Sequence, residues 1–404
     1  MCICNEEAHY FYTWQTPDKT ETYIETPIMR KRNDLRSQTL DLLRFPLAIV
    51  ILTIHTFSTA GFTFHGTEYS IDNMPVLMEV NRFIDGFLRG RSVPIYFFIS
   101  GFVFFLGIEL TKDKYIQKLK NRTKTLLIPY ILWNILAVLV VLMRFLPCFS
   151  SLFPNIHEEK LHFAPMHILN TFWDRWNGII VTPGIEDNNL YPQDIPLWFL
   201  RDLMIVVLCT PLISWALKHT RYYIICLLGV VWFALGDSNL GHPYQLLTAF
   251  LFFSWGAYMS IHKKDMLVEF GRFFKCSMWL YPLLGILYIF AIHAWPEACG
   301  IIKRLNILVG LIFAYNLASW LLSHKICKVS QFLASSSFFI YVSHTLFCSE
   351  ILKCFFYFFH PVSDIGMLSI YLLTVIFTTI FLLVVFYLLQ RYAPAALRLL
   401  TGRK

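Results

Sequence analysis

The chain has 404 residues, of which 56% are hydrophobic and only 15% charged, with a mean hydropathy of +0.55. No soluble domain of this size can hide so much apolar surface from water, so the composition excludes a soluble enzyme and predicts a polytopic membrane protein. The formal net charge of +8 is explained by where lysine and arginine fall and by attraction to anionic lipid, so no nucleic-acid partner is expected.

Residues 1–37 carry Glu6, Glu7, Pro17, Asp18, Glu21, Glu25 and Pro27 without periodicity, and lack the short basic start and apolar core of a cleavable signal. A disordered cytoplasmic tail is predicted there. Apolar runs of about 20 residues then recur near 40–58, 92–110, 125–146, 196–217, 222–236, 243–261, 277–295, 301–322, 335–358 and 366–390. The expectation is an all-α polytopic membrane helix bundle of ten transmembrane helices over residues 38–392, the fifth of them short, with a cytoplasmic tail at 393–404. Lysine and arginine divide unequally between alternate connections, 22 on one side and 7 on the other. Because basic residues near span ends are retained in the cytoplasm, both termini are placed inside and the protein in the inner (plasma) membrane.

The longest connection, residues 147–195, lies on the outer side and holds HEEK at 157–160 and FWDRW at 172–176. Loops of that length in a compact bundle tend to be functional, and aromatic rings beside carboxylates suit carbohydrate. An interfacial aromatic belt accounts for the same residues. Most of the ten cysteines fall in or beside spans and read as packing residues. Cys2 and Cys4 lack partners at metal-ligand spacing, and no metal site is expected. Only Cys148 and Cys299 lie near outer loops, where a disulfide is conceivable.

The first span contains Arg44 and His55, eleven residues apart. At about 100° and 1.5 Å per residue, both share one helix face, separated by roughly 16 Å of depth. Arg44 then lies about one turn inside the cytoplasmic face and His55 in the outer half, with Asp41 three residues before Arg44 as a possible ion partner. Snorkelling of Arg44 and simple packing of His55 remain open for each residue alone. Intramembrane charge paired with a titratable group favours function.

Further polar positions are Tyr96, Ser100 and Gly101 in the second span and Tyr341, Ser343 and His344 in the ninth. Pro94 and the Ser100–Gly101 pair are compatible either with a kink that frees backbone groups or with close helix packing. His344 reaches a depth comparable to His55.

These residues resemble the acyltransferase 3 family of multi-span membrane acyltransferases that modify bacterial surface carbohydrates. The similar stretches are Asp41, Arg44 and His55, matching D-x-x-R followed by a histidine; FFISGF at 97–102; PLWFLRDL at 196–203; and SFFIYVSH at 337–344. The similarity in hydropathy and span order covers about residues 38–392. The chain departs from the family at Arg201 and Asp202, where many members have a W-S-L-x-x-E glutamate. A second departure lies before the third helix, where a common arginine pair is represented by Arg122 and Lys124. The family's fused extracellular esterase-like domain has no counterpart, which implies a separate protein for any second transfer step.

The resemblance implies acyl transfer, commonly of acetyl, from cytoplasmic acyl-CoA to a sugar hydroxyl at the outer face. The acceptor is then a surface glycan or a lipid-linked sugar, and acetyl-CoA or another acyl-CoA is the donor substrate, with no tightly bound cofactor. Lys118, Lys120, Arg122 and Lys124 gather at the inner mouth of the third helix, where Arg122 and Lys124 suit donor phosphates. A positive-inside loop explains the same charges. The catalytic assignment is His55, Arg44 and His344, with His55 as general base toward the acceptor hydroxyl, since neutral imidazole matches that task near pH 7. Asp41, Tyr96, Ser100, Trp198, Arg201 and Tyr341 are the substrate-binding candidates. The chief alternative is a small-molecule or proton-coupled transporter, because intramembrane Arg and His also mark such pathways. A scaffold for glycan assembly is the third reading.

Overall fold

A computed structural model describes residues 27–57, 62–64, 67–69, 74–146, 160–181, 189–236 and 240–402. Residues 1–26 of the predicted tail, Cys2, Cys4, Cys148 and residues 157–159 lie outside the described residues. The helices, in chain order, begin with α1 (Pro27–Phe57), α2 (Pro75–Phe87), α3 (Ser92–Phe105) and α4 (Lys112–Arg122). A π-helical turn, Thr123–Leu127, joins α4 to α5 (Ile128–Arg144). A short α6 (Pro165–Asn170) precedes α7 (Trp198–Leu208), α8 (Thr210–Thr220), α9 (Tyr223–Ala234), α10 (His242–Ile261) and α11 (Met266–Gly271). The chain closes with α12 (Phe274–Ala294), α13 (Pro296–Ser323), α14 (Gln331–Phe359), α15 (Asp364–Tyr392) and α16 (Pro394–Thr401). Among the described residues, strands are confined to two antiparallel pairs, Phe62–Phe64 with Thr67–Tyr69 and Lys160–Leu161 with Ile180–Val181.

Each of the ten predicted apolar segments contains helix, although the second is helical only from Ser92 to Phe105. Among the described residues six helical runs are long and apolar enough to cross a membrane, and the bent pair α7–α8, with 63° between its halves, makes a seventh. The difference from ten is physical. Helix α3 has 14 residues and α9 has 12, short of the roughly 20 that a 30 Å core requires. Helix α10 is long enough, but His242, Gln245, Ser254 and Ser260 dilute its apolar run.

The helices bury one face and leave the other apolar. Leu372, Phe377, Ile380 and Val384 on α15, and Trp279, Leu283 and Phe290 on α12, are exposed. Such a belt suits hydrocarbon, where every backbone group must be satisfied within the helix. Inside the bundle, α1 packs on α13, α14 and α15, and α3 packs along α10.

The α3–α10 contact explains the Ser100–Gly101 motif. A Cβ on Gly101 would collide with the Phe253 carbonyl, and one on Gly256 would collide with the Phe98 carbonyl. These reciprocal glycines bring two backbones into direct contact, the small-residue device of membrane helix pairs. Helix α3 itself runs unbroken from Ser92 to Phe105 with Pro94 in its first turn, where proline is tolerated.

Candidate active site

The packing of α1 on α14 brings together two histidines that lie far apart in sequence. The ring centroids of His55 and His344 are 5.2 Å apart, with planes inclined at 51°. His344 is completely buried. Its Nδ1 lies 2.8 Å from the Tyr341 carbonyl and 3.2 Å from the Ile340 carbonyl, both in the preceding turn of α14. A carbonyl only accepts, so Nδ1 carries the proton and Nε2 of the neutral ring presents a lone pair. That Nε2 is buried with no hydrogen-bond partner among the described residues. An unmatched buried acceptor is costly, and here it lies beside a second imidazole.

Below the histidines is a cavity of about 1200 Å³ whose lining includes Arg44, Tyr96, Ser100, Arg122, Lys124 and Tyr341. Neither histidine lines it; Tyr341, which does, has its ring 6.4 Å from the His344 ring and so stands between the cavity and the histidine pair. Arg44 pairs with Asp41 across 3.1 Å, one helical turn apart. The Tyr96 hydroxyl donates to the Arg44 carbonyl at 2.7 Å, and its ring lies 6.2 Å from that of Tyr341. The Tyr341 hydroxyl donates to the Pro196 carbonyl, tying α14 to the entrance of α7. Thus Arg44, Tyr96, Ser100, Arg122, Lys124 and Tyr341 line one cavity, Asp41 pairs with its Arg44, and the histidine pair lies behind Tyr341. Lys118 is drawn aside, donating to the Phe104 carbonyl and lying over that ring at 4.6 Å.

Two predicted substrate contacts sit elsewhere. The Trp198 ring packs 6.5 Å from Phe97 at the start of α7. Arg201 is buried in an ion cluster, with Nε donating to Asp202 at 2.9 Å and Nη1 donating to the Trp173 and Leu190 carbonyls at 3.1 and 2.5 Å. His242 of α10 also meets Asp202, at 3.1 Å, and the Arg201 guanidinium lies 4.8 Å over the Trp173 ring. This cluster staples the long loop to α7 and α10.

The structure adds a residue that sequence reasoning passed over. Asp194, immediately before α7, is 1% exposed. Its Oδ1 accepts from Thr345, the neighbour of His344, at 2.7 Å, and its backbone N–H donates to Asn134 at 3.1 Å. Its Oδ2 has no partner among the described residues. Burial pushes this carboxyl up to about 7, while the Thr345 hydrogen bond and the charge of Arg175 pull it down. The one sequence cue was position, two residues before PLWFLRDL. Among the described residues no cluster of His, Cys, Asp and Glu could hold a metal ion.

The bundle thus holds a buried histidine pair close to a cavity lined by arginine and lysine. The chain belongs to the acyltransferase 3 family, whose acyltransferase domain matches residues 38–389, and it is an acyltransferase. It is similar to the succinoglycan biosynthesis protein ExoH of Rhizobium meliloti (strain 1021), 25% identical over 380 residues that cover 91% of this chain and 92% of that protein. No solved structure matches it.

Proposed function

We propose that the protein moves an acyl group, commonly acetyl, from cytoplasmic acyl-CoA to a hydroxyl of a surface or lipid-linked carbohydrate. The observation that carries this reading is a cation-lined cavity whose wall residue Tyr341 packs toward the His55–His344 pair. The lysine and arginine bias puts the cavity mouth on the cytoplasmic side, with ten membrane-embedded segments and both termini inside the cell. The glycan acceptor draws support from the similarity to a succinoglycan biosynthesis protein.

The geometry divides the labour. Arg44 lies roughly 16 Å of helix from His55, so it holds the arm of the donor and not the reacting carbonyl. The thioester reaches the histidines past Tyr341. The acceptor hydroxyl, entering from the outer half, gives its proton to the imidazole pair as its oxygen attacks the thioester carbon. The tetrahedral intermediate collapses, the C–S bond breaks, and the imidazolium returns the proton to the leaving thiolate. His55 is the general base of this step, and His344 shares the proton through the Nε2 that its backbone hydrogen bond keeps available. Such base catalysis contributes about 10²–10⁴ in rate. Arg201 and Trp198 act here through the loop and α7 that they anchor.

With labelled acetyl-CoA and a surface-glycan acceptor, His55→Ala abolishes transfer while membrane insertion and abundance persist. Full transfer by that variant sinks the mechanism.

A further inference from the structure

Resting on the donor assignment above, we propose that Arg398, carried on α16, binds the phosphate groups of the acyl donor. The docking of α16 on the π-helical turn Thr123–Leu127 builds that end of the cavity. The segment is short and terminal, and its sequence reads as a tail. Its structure is that of a wall. Pro394 opens a new helix after the break at Ala393, Leu397 and Thr401 are buried on one side, and the Leu400 carbonyl accepts from the Trp133 indole at 2.9 Å. Ala395, Arg398 and Leu399 line the cavity.

The docking is specific at Gly402. Its φ is +66°, and a Cβ there would lie 2.5 Å from Thr125 Cα and 2.6 Å from the Thr125 carbonyl oxygen. Only glycine tolerates both the left-handed backbone and that approach. The opposing turn is π-helical, a local widening that often marks functional sites. It presents Lys124, Thr125 and Leu126 to the cavity, with Arg122 and Ile128 on either flank. The Thr125 hydroxyl is buried with no partner among the described residues.

The electrostatics identify the ligand class. Arg44, Arg122, Lys124 and Arg398 line the cavity, and no Asp or Glu does. Arg398 makes no ion pair among the described residues. Cations of one sign around a partly enclosed space favour an anion, and a guanidinium fork suits phosphate. The volume of about 1200 Å³ exceeds the roughly 300–1,000 Å³ of ordinary small-ligand pockets. It therefore suits a large phosphorylated acyl carrier, either a CoA thioester or the phosphopantetheine arm of a carrier protein.

The test is equilibrium binding of unacylated CoA, and separately of a phosphopantetheine-bearing carrier protein, to purified full-length protein. Wild type, Arg398→Ala, Arg398→Lys and Gly402→Val are compared. Because Arg398 is exposed on the cavity side, its substitutions leave the thermal midpoint in place. We expect Kd to rise about tenfold in Arg398→Ala, in line with losing one charge-assisted phosphate contact, with partial recovery in Arg398→Lys. A weakening of at least that size is expected in Gly402→Val, which keeps the arginine but displaces its helix. If wild type binds CoA and Arg398→Ala binds equally well, the role of Arg398 is overturned while the donor assignment stands. If only the carrier protein binds, and Arg398→Ala weakens it, the phosphate site stands and CoA is the wrong source. If wild type binds neither, both readings fall. Unchanged affinity in Gly402→Val overturns the role of α16 docking.

Discussion

Two buried polar clusters contain histidine, and they are built in opposite ways. In the Arg201–Asp202–His242 cluster, charges of both signs meet each other and the carbonyls of the long loop. At the His55–His344 pair the His344 Nε2 has no hydrogen-bond partner among the described residues, and the neighbouring cavity is lined by cations and by no carboxylate, Asp41 pairing with Arg44 from behind its wall. A cluster whose opposite charges meet one another and the loop backbone holds the fold together. A cavity lined by cations with no carboxylate in its wall suits an anionic ligand. Substitutions that separate stability from turnover test this division.

The largest stability effect is expected in the closed cluster. Asp202→Ala strands the Arg201 guanidinium in a dry site, and breaking such a pair costs about 3–5 kcal/mol. Thermal unfolding in detergent should show a large drop or loss of folded protein, whereas Arg44→Ala, which unpairs Asp41 at a more exposed position, should lower the midpoint much less and suppress transfer. A midpoint for Asp202→Ala equal to wild type contradicts the assignment of that cluster to folding.

Asp194 lies between the two clusters and gives the next effect. Its folded value of about 7 stands above the ordinary 3.8, so the folded state holds its proton after the unfolded state has lost it. Stability therefore declines as pH rises from about 4 to about 7, by at most about 4 kcal/mol, and the full penalty persists above that window. Asp194→Asn keeps an acceptor for Thr345 and removes the charge. Its midpoint should vary less between pH 5 and pH 8 than that of wild type. A slope identical to wild type removes the buried carboxyl from the account.

A smaller loss, about 1–3 kcal/mol for overpacking, is expected for Gly101→Ala, because α3 and α10 must separate to admit the methyl group. Thermal unfolding reads it directly. The smallest effect is Lys124→Ala, at the exposed rim of the cavity. It should raise KM for acyl-CoA about two- to threefold without changing kcat, as a solvated charge contributes about 0.2–1 kcal/mol.

The sequence made the Arg44–His55 line legible because helical periodicity alone puts both on one face. The helical segments were legible from hydropathy, although length and dilution by polar residues reduce how many can cross a bilayer unaided. The meeting of His55 with His344 depends on tertiary packing between α1 and α14, which no local pattern encodes. Arg201 shows the converse limit. A cation in an apolar run reads as a site until its partners, the Trp173 and Leu190 carbonyls, are placed beside it. Asp194 looked like an ordinary loop carboxylate, and Thr345, 151 residues away, reveals its burial. Likewise, residues 393–404 read as a tail because the Gly402–Thr125 approach, which docks Pro394–Thr401 beside the cavity, is invisible in one dimension.

The central claim is that the donor enters from the cytoplasmic cavity and meets the acceptor at the histidine pair. Sealed inside-out membrane vesicles with glycan acceptor enclosed test it most directly. Labelled acyl-CoA supplied outside, at the former cytoplasmic face, should label the enclosed glycan, and His344→Ala vesicles should not. Equal labelling when the donor is present only in the lumen, or undiminished labelling by His344→Ala, would contradict the account.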